Sequence, residues 1–336
     1  MSDSLSSSAC PAREFDVALM DLDGVVYVGP HAIDHAPQAI SDARDLGMRM
    51  GYVTNNASRT PAEVAAHLVE LGVAADAGDV VTSSQAGAHV IAERFAPGDA
   101  VLAVGGPGVD AALAEFGLRP VRSLDEQPRA VMQGFGRDVG WRDLAAASLA
   151  VRSGAFWVAT NLDRTLPVPG GTAPGNGMLV AAVAEAAGRG PDVVAGKPHP
   201  PLMRESVERL SAQRPLVVGD RLDTDIEGAH ALGLASLLVL TGVTDPALLL
   251  AAPAQHRPSL IAPDLRGLLA AHGAPAVVAA DRWVLGGAEA RIDGAVLQVT
   301  VGPGDEGWID ALRCACCAAW SRPGLSTEAA LRTLGC

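Results

Sequence analysis

The sequence predicts an α/β protein: a Rossmann-like parallel-sheet core with an inserted α/β cap and a small C-terminal α+β domain. Three observations predict it. Short apolar runs at residues 15–20, 48–53 and 216–218 each end in polar or turn residues and alternate with helix-patterned segments, the rhythm of a parallel sheet. The same rhythm recurs as a separate block between residues 84 and 190. From Pro275 onward the pattern becomes strand-like with glycine turns, followed by one helix.

In chain order, residues 1–13 are Ser-rich, without a basic start or an apolar centre, and read as a loose tail rather than a secretory signal. The run at 15–20 reads as a buried strand ended by Asp21-Leu22-Asp23-Gly24, and 39–46 as a helix. The run at 48–53 is a second strand, ended by Thr54-Asn55-Asn56. Thr60-Pro61-Ala62-Glu63 reads as a capped helix start, and that helix runs over 62–71 to stop at Gly72. In the second block, 100–104, 130–133 and 156–159 read as strands and 109–116, 141–153 and 178–187 as helices. The first rhythm then returns: Val193-Val194-Ala195 precedes Gly196-Lys197-Pro198, Leu216-Val217-Val218 precedes Gly219-Asp220, and 235–240 is a further strand. Residues 277–301 are strand-like, with turns at Gly286-Gly287 and Asp293-Gly294, and 308–320 are helical. The expected division is a tail at 1–14, a discontinuous core at 15–83 and 191–272, a cap at 84–190 and an appendix at 275–336 whose role is not legible.

Composition narrows the function. The 336 residues are 49% hydrophobic and 19% charged, enough to bury a large core. The net charge of −13 argues against nucleic acid as a partner, since binding phosphate backbones needs a basic surface. No apolar run approaches the roughly 20 residues of a membrane-spanning helix, so no membrane partner is expected. Five cysteines without a signal segment suggest a reduced, cytoplasmic setting. Of 25 basic residues only Lys197 is a lysine; in so Arg-rich a chain that is either chance or the mark of a place where a compact ammonium is wanted and a forked guanidinium does not fit.

Four apolar runs end in polar groups: Asp21/Asp23, Thr54/Asn55, Lys197 and Asp220. In an open parallel sheet the carboxyl ends of the strands share one edge, where ligands bind. Two carboxylates two residues apart, with a third from Asp220, demand a cation, and oxygen-only ligands favour Mg²⁺. Lys197, Thr54 and Asn55 offer donors for an anion. Metal, anion donors and a spare carboxylate together describe phosphoryl transfer. One carboxylate attacks phosphorus and another protonates the leaving alkoxide, then activates water.

The motifs Asp21-Leu22-Asp23-Gly24, Thr54-Asn55-Asn56, Gly196-Lys197-Pro198 and Gly219-Asp220-Arg221-Leu222-Asp223-Thr224-Asp225 resemble, in order and spacing, those of the haloacid dehalogenase-like hydrolase superfamily. The insertion, with Ala159-Thr160-Asn161-Leu162-Asp163 and Pro169-Gly170-Gly171-Thr172, resembles the cap of its 4-nitrophenylphosphatase-like branch, and the resemblance covers about residues 15–265. It implies Asp21 as nucleophile and Asp23 as general acid/base. It implies that Asp21, the main-chain carbonyl of Asp23 and Asp220 hold Mg²⁺, with Asp225 orienting the metal's surroundings. Thr54, the Asn55/Asn56 backbone and Lys197 would hold the phosphate, and Asn161, Asp163 and Arg164 in the cap would read the leaving group. Val25 stands where many members carry Thr, but members of this branch carry Val too. The implied substrate is a small phosphorylated metabolite, glycerol 3-phosphate first, with phosphoglycolate, pyridoxal phosphate or a sugar phosphate as alternatives. The resemblance also allows a homodimer, since some members pair through their caps.

Other readings are weaker. A dehalogenase needs neither metal nor a second Asp, and a phosphate-binding protein without turnover has no use for Asp23. A dinucleotide-binding oxidoreductase would need a glycine fingerprint that the first strand-turn lacks. Gly105-Gly106-Pro107-Gly108 reads as a plain turn. Cys314, Cys316 and Cys317 are spaced over different helix faces with no His nearby, and read as small core residues.

Overall fold

The computed structural model describes residues 9–168 and 170–336, so residues 1–8 of the expected tail and Pro169 lie outside the described residues. The rest of that tail is not loose. Pro11–Glu14 forms a helical turn with Pro11 and Ala12 buried, closed by the Phe15 N–H on the Pro11 carbonyl at 3.0 Å. The chain falls into two compact units: Met1–Met50, Leu71–Val73 and Ala212–Cys336 form one, Gly51–Glu70 and Ala74–Ser211 the other. These bounds differ from the expected core, cap and appendix. The strand Arg49–Thr54 begins in the first unit and ends in the second.

In the first unit, Val17–Met20, Pro215–Gly219, Ala235–Val239 and Leu260–Ala262 pair in parallel, with Val17 opposite Pro215, Leu216 opposite Ala235 and Leu237 opposite Leu260. Every residue of the two central strands is buried. Strands covered on both faces read as unbroken apolar runs rather than alternations, which is why these runs were visible in the sequence. The Arg49 N–H donates to the Asp16 carbonyl at 3.0 Å and brings the next strand alongside. Within this unit the order is 260–262, 235–239, 215–219, 17–20, with the start of 49–54 next.

The appendix is a four-stranded antiparallel sheet, Ala276–Ala279, Arg282–Leu285, Ala288–Asp293 and Val296–Thr300, under the helix Gly307–Ser321. One turn falls at Gly286-Gly287, as predicted; the other falls at Gly294-Ala295, one residue beyond the predicted Asp293-Gly294, because Asp293 still pairs with Val296. Ala288, Ala290, Ile292, Leu297 and Val299 point inward and share one apolar cluster with Leu238, Leu249, Leu250 and Ile261 of the parallel sheet's layer. The appendix is thereby part of the first unit's core. Arg313, only 4% exposed, fastens the junction. Its Nη2 and Nε donate to the Ile261 carbonyl at 2.8 and 3.2 Å, and its Nη1 pairs with Asp310 at 3.0 Å. His272 Nε2 faces the Gly267 carbonyl at 2.8 Å, so that nitrogen carries the proton and Nδ1 accepts from Arg313 at 3.0 Å. Burial pushes the His272 imidazole below its usual pKa. Cys314 and Cys316 are core residues, as expected, and burial pushes the Cys314 thiol up to about 12.

The second unit holds a five-stranded parallel sheet in the order Val193–Val194, Phe156–Ala159, Ala130–Gln133, Ala100–Val104, Arg119–Val121. The helices Trp141–Arg152 and Asn176–Ala187 pack around the fully buried Trp157. The helix Pro61–Glu70 starts on the predicted capping box: Glu63 Oε2 accepts the Thr60 N–H at 2.7 Å and Thr60 Oγ1 accepts the Glu63 N–H at 3.3 Å. The glycine-rich segment at 105–108 is a turn, with Gly106 capping the helix Pro107–Glu115. A methyl on Gly106 would stand 2.8 Å from the Ser58 carbonyl, so the loop is packed on backbone there. The hairpin Thr165–Val168/Gly171–Pro174, the strand Arg119–Val121 and the helix Glu328–Leu334 were not read from the sequence.

Candidate active site

The carboxylates of the first unit form one group. Asp21 follows directly on Val17–Met20, and its N–H donates to the Val218 carbonyl at 2.8 Å. Asp220 follows Pro215–Gly219 and is 1% exposed. Asp225 is completely buried, carried by the π-helical turn Leu222–Ile226, and accepts the Arg221 N–H at 3.2 Å. Asp21, Asp220 and Asp225 each offer an oxygen, all within 4.8 Å of one another. Asp23 lies on the exposed turn beyond, and its carboxylate is not in that group.

Three glycines wall these carboxylates. Gly24, at φ +83°, comes so close that a methyl would stand 2.6 Å from Asp220 Oδ2. A methyl on Gly242 would stand 2.6 Å from Asp220 Cγ, and one on Gly219 2.5 Å from Asp225 Oδ2. The Val243 N–H holds Asp220 Oδ2 at 2.7 Å, and Thr241 Oγ1 donates to the Gly24 carbonyl at 2.6 Å. Three carboxylates this close, two of them buried, converge their oxygens on one point. The donor set is oxygen only and suits a hard divalent ion such as Mg²⁺. Sequence reasoning missed the wall residues Thr241, Gly242 and Val243. A Thr-Gly after a strand carries no signal beyond that of a turn.

The second unit gathers the anion-binding candidates. Thr54, 4% exposed, ends its strand and accepts the Asn56 N–H on Oγ1 at 3.0 Å. Asn56 Oδ1 accepts from the Ser58 N–H at 2.9 Å and the Ser58 hydroxyl at 2.8 Å, which turns the chain toward the helix Pro61–Glu70. Lys197 is buried, and its Nζ donates to the Val53 carbonyl at 3.2 Å. The Asn55 side chain meets the Lys197 backbone twice, accepting its N–H at 2.8 Å and donating to its carbonyl at 3.1 Å.

The three expected leaving-group readers have different surroundings. Asn161 is buried; its Nδ2 donates to the Asn55 carbonyl at 2.7 Å and its Oδ1 accepts the Asp163 N–H at 3.1 Å. The Asp163 carboxylate accepts from Asn55 Nδ2, and Arg164 is exposed. Asn176, which sequence reasoning passed over, pins the Asn161 carbonyl at 2.9 Å.

Comparison with known proteins gives a consistent picture. A haloacid dehalogenase-like hydrolase family model matches residues 18–119, and a HAD-hydrolase-like model matches residues 194–268. The D-glycerol 3-phosphate phosphatase of Mycobacterium tuberculosis is 52% identical over 257 residues, 76% of this chain and 72% of that protein. Among solved structures, a glycerol phosphate phosphatase from Mycobacterium tuberculosis in complex with magnesium superposes with a TM-score of 0.87 at 44% identity, over 97% of this chain and 98% of that one. A 4-nitrophenylphosphatase from Thermotoga maritima gives a TM-score of 0.71 at 28% identity, over 77% of this chain and 98% of that one. The magnesium-complex likeness takes in the appendix; the nitrophenylphosphatase leaves about a quarter of the chain unmatched.

Proposed function

The chain belongs to the haloacid dehalogenase-like hydrolase family, and from that premise we propose that it hydrolyses glycerol 3-phosphate to glycerol and inorganic phosphate. It is a Mg²⁺-dependent phosphatase of small phosphate monoesters. The observation that carries the chemistry is the cluster of Asp21, Asp220 and Asp225 within 4.8 Å, walled by glycine. The choice of alcohol rests on the 52% identity to the mycobacterial enzyme.

Asp21 attacks phosphorus and displaces glycerol, whose leaving oxygen takes the proton of Asp23. The product on the protein is an aspartyl-phosphate. Asp23, now a carboxylate, removes a proton from water; the hydroxyl adds to phosphorus, phosphate leaves, and Asp21 is restored. Lys197, Thr54 and the N–H groups of Asn55 and Asn56 hold the phosphoryl oxygens. Asp21, Asp220 and the Asp23 carbonyl hold Mg²⁺, with Asp225 steadying the set. The bound ion neutralises charge on the transferring group.

A homodimer and a cytoplasmic location belong to the same reading. The exposed Trp141 and Leu149 on the helix Trp141–Arg152 support a contact between copies, which sedimentation tests. No helix among the described residues is long and apolar enough to cross a membrane. The activity is tested by phosphate release from glycerol 3-phosphate, phosphoglycolate, pyridoxal phosphate and a sugar phosphate, each with Mg²⁺ and with EDTA. Metal-dependent turnover, fastest on glycerol 3-phosphate, is expected. A different best substrate would overturn the assignment of the alcohol, and no turnover would overturn the phosphatase.

A further inference from the structure

We propose that Asp163 is a positioning residue for Lys197 and acts through the side-chain amide of Asn55; what Lys197 does rests on the phosphatase reading, whereas the linkage rests on geometry alone. Asn55 Oδ1 accepts the Lys197 N–H at 2.8 Å while its Nδ2 donates to the Lys197 carbonyl at 3.1 Å. One amide thus engages both backbone polar groups of a single residue. An amide nitrogen carries two hydrogens. The second is directed at the Asp163 carboxylate, whose two oxygens each lie 3.3 Å from Asn55 Nδ2. Both donor hydrogens and the acceptor of Asn55 are then engaged, and a flipped amide would set oxygen against the carboxylate and the carbonyl at once.

The neighbouring residues allow this arrangement and hold it. A methyl on Gly196 would stand 2.6 Å from Asn55 Oδ1 and 2.6 Å from the Thr160 carbonyl, so the approach depends on glycine there. The loop that carries Asp163 is itself fastened to the Asn55 backbone: Asn161 Nδ2 donates to the Asn55 carbonyl at 2.7 Å, and Asn161 Oδ1 accepts the Asp163 N–H at 3.1 Å. Asn55 is therefore gripped by the 161–163 loop at its main chain and at its side chain.

The consequence is a change of role. Asp163 was expected to read the alcohol, but its carboxylate is turned to the amide that fixes Lys197. Lysine is a flexible point charge, so the place of its ammonium depends on how firmly its backbone is held. Phosphate is common to every substrate. Loosening Lys197 therefore weakens all substrates alike, whereas losing an alcohol contact weakens only those that carry the alcohol.

The test is a double-mutant cycle of Asp163→Ala and Asn55→Ala, with Mg²⁺ present. It is read by kcat/KM on glycerol 3-phosphate and on 4-nitrophenyl phosphate, and by the affinity for inorganic phosphate. Asp163→Ala is expected to lower kcat/KM about tenfold on both substrates and to weaken phosphate binding about tenfold, the scale of one hydrogen bond to a charged group. In the Asn55→Ala background it is expected to add less than about twofold, because the two residues act as one unit. Asp163→Asn keeps an acceptor oxygen and is expected to retain most of the activity. A loss confined to glycerol 3-phosphate, or full additivity in the cycle, would overturn the proposal. Should Asp163→Ala fail to fold, Asp163→Ser gives the same substrate comparison. Wild-type hydrolysis tests the phosphatase reading by itself, and if that fails the phosphate-affinity cycle still reads the linkage.

Discussion

Replacing Gly242 with Ala should disable the metal site while leaving the fold nearly intact. The new methyl would stand 2.6 Å from Asp220 Cγ and 2.9 Å from its Cβ, where ordinary contact begins at 3.4 Å. Asp220 must therefore move by roughly 1 Å, and it has little room to do so. It is 1% exposed, held by the Val243 N–H at 2.7 Å, and closely approached by Gly24. A misplacement of that size costs on the order of a hundredfold in rate, about 2.7 kcal/mol of barrier. Overpacking costs stability as well, about 1–3 kcal/mol, so the melting temperature should fall by only some degrees. The assay is phosphate release from glycerol 3-phosphate as a function of Mg²⁺, alongside a thermal melt. Gly190→Ala, where a methyl meets nothing within 4 Å, serves as the control. A Gly242→Ala enzyme with wild-type rate and wild-type Mg²⁺ requirement would refute the reasoning.

Three further outcomes concern the appendix and its junction with the parallel sheet. Arg313→Met strands a buried Asp310 and should cost about 3–5 kcal/mol in a urea melt, with Asp310→Asn/Arg313→Met recovering part of it. His272 is held neutral by burial, with Arg313 beside it also opposing a second proton, so its folded pKa lies below its unfolded one. The unfolded chain then binds the extra proton first, and stability is complete above about pH 6.5 and declines as pH falls below it. The urea midpoint should show that decline in the wild type and less of it in His272→Gln. Cys336, which is exposed, should be alkylated in the native protein while Cys314 and Cys316 resist until denaturant is added, because burial raises both thiols and removes access to them.

What the sequence disclosed follows from how each feature is encoded. The parallel strands were legible because burial on both faces makes them unbroken apolar runs, as at 17–20 and 215–219. The capping box at Thr60 and Glu63 was legible because it is a local hydrogen-bond pattern, and the structure forms it. The glycine turns of the appendix were legible for the same reason. The short hairpin Thr165–Val168/Gly171–Pro174 and the three-residue strand at 119–121 lack enough periodicity to register. The wall around Asp220 was invisible because a glycine's lack of a side chain matters only once another group approaches it. The Asn55 clamp joins residues 108 and 142 positions apart, and no local spacing encodes it. The appendix looked like a separate domain because its strand pattern differs from that of the core. The apolar cluster it shares with Leu249 and Ile261 is a property of packing alone.

In the proposed mechanism Asp21 carries the phosphoryl group during turnover. The direct measurement is to quench the enzyme during hydrolysis of glycerol 3-phosphate, reduce with borohydride, and map the peptides by mass spectrometry. An aspartyl-phosphate is reduced to homoserine, whereas a free carboxylate is not. Homoserine is expected at position 21, present with Mg²⁺ and absent with EDTA or in Asp21→Asn. Turnover with residue 21 still aspartate, or with homoserine at position 23 instead, would contradict that mechanism.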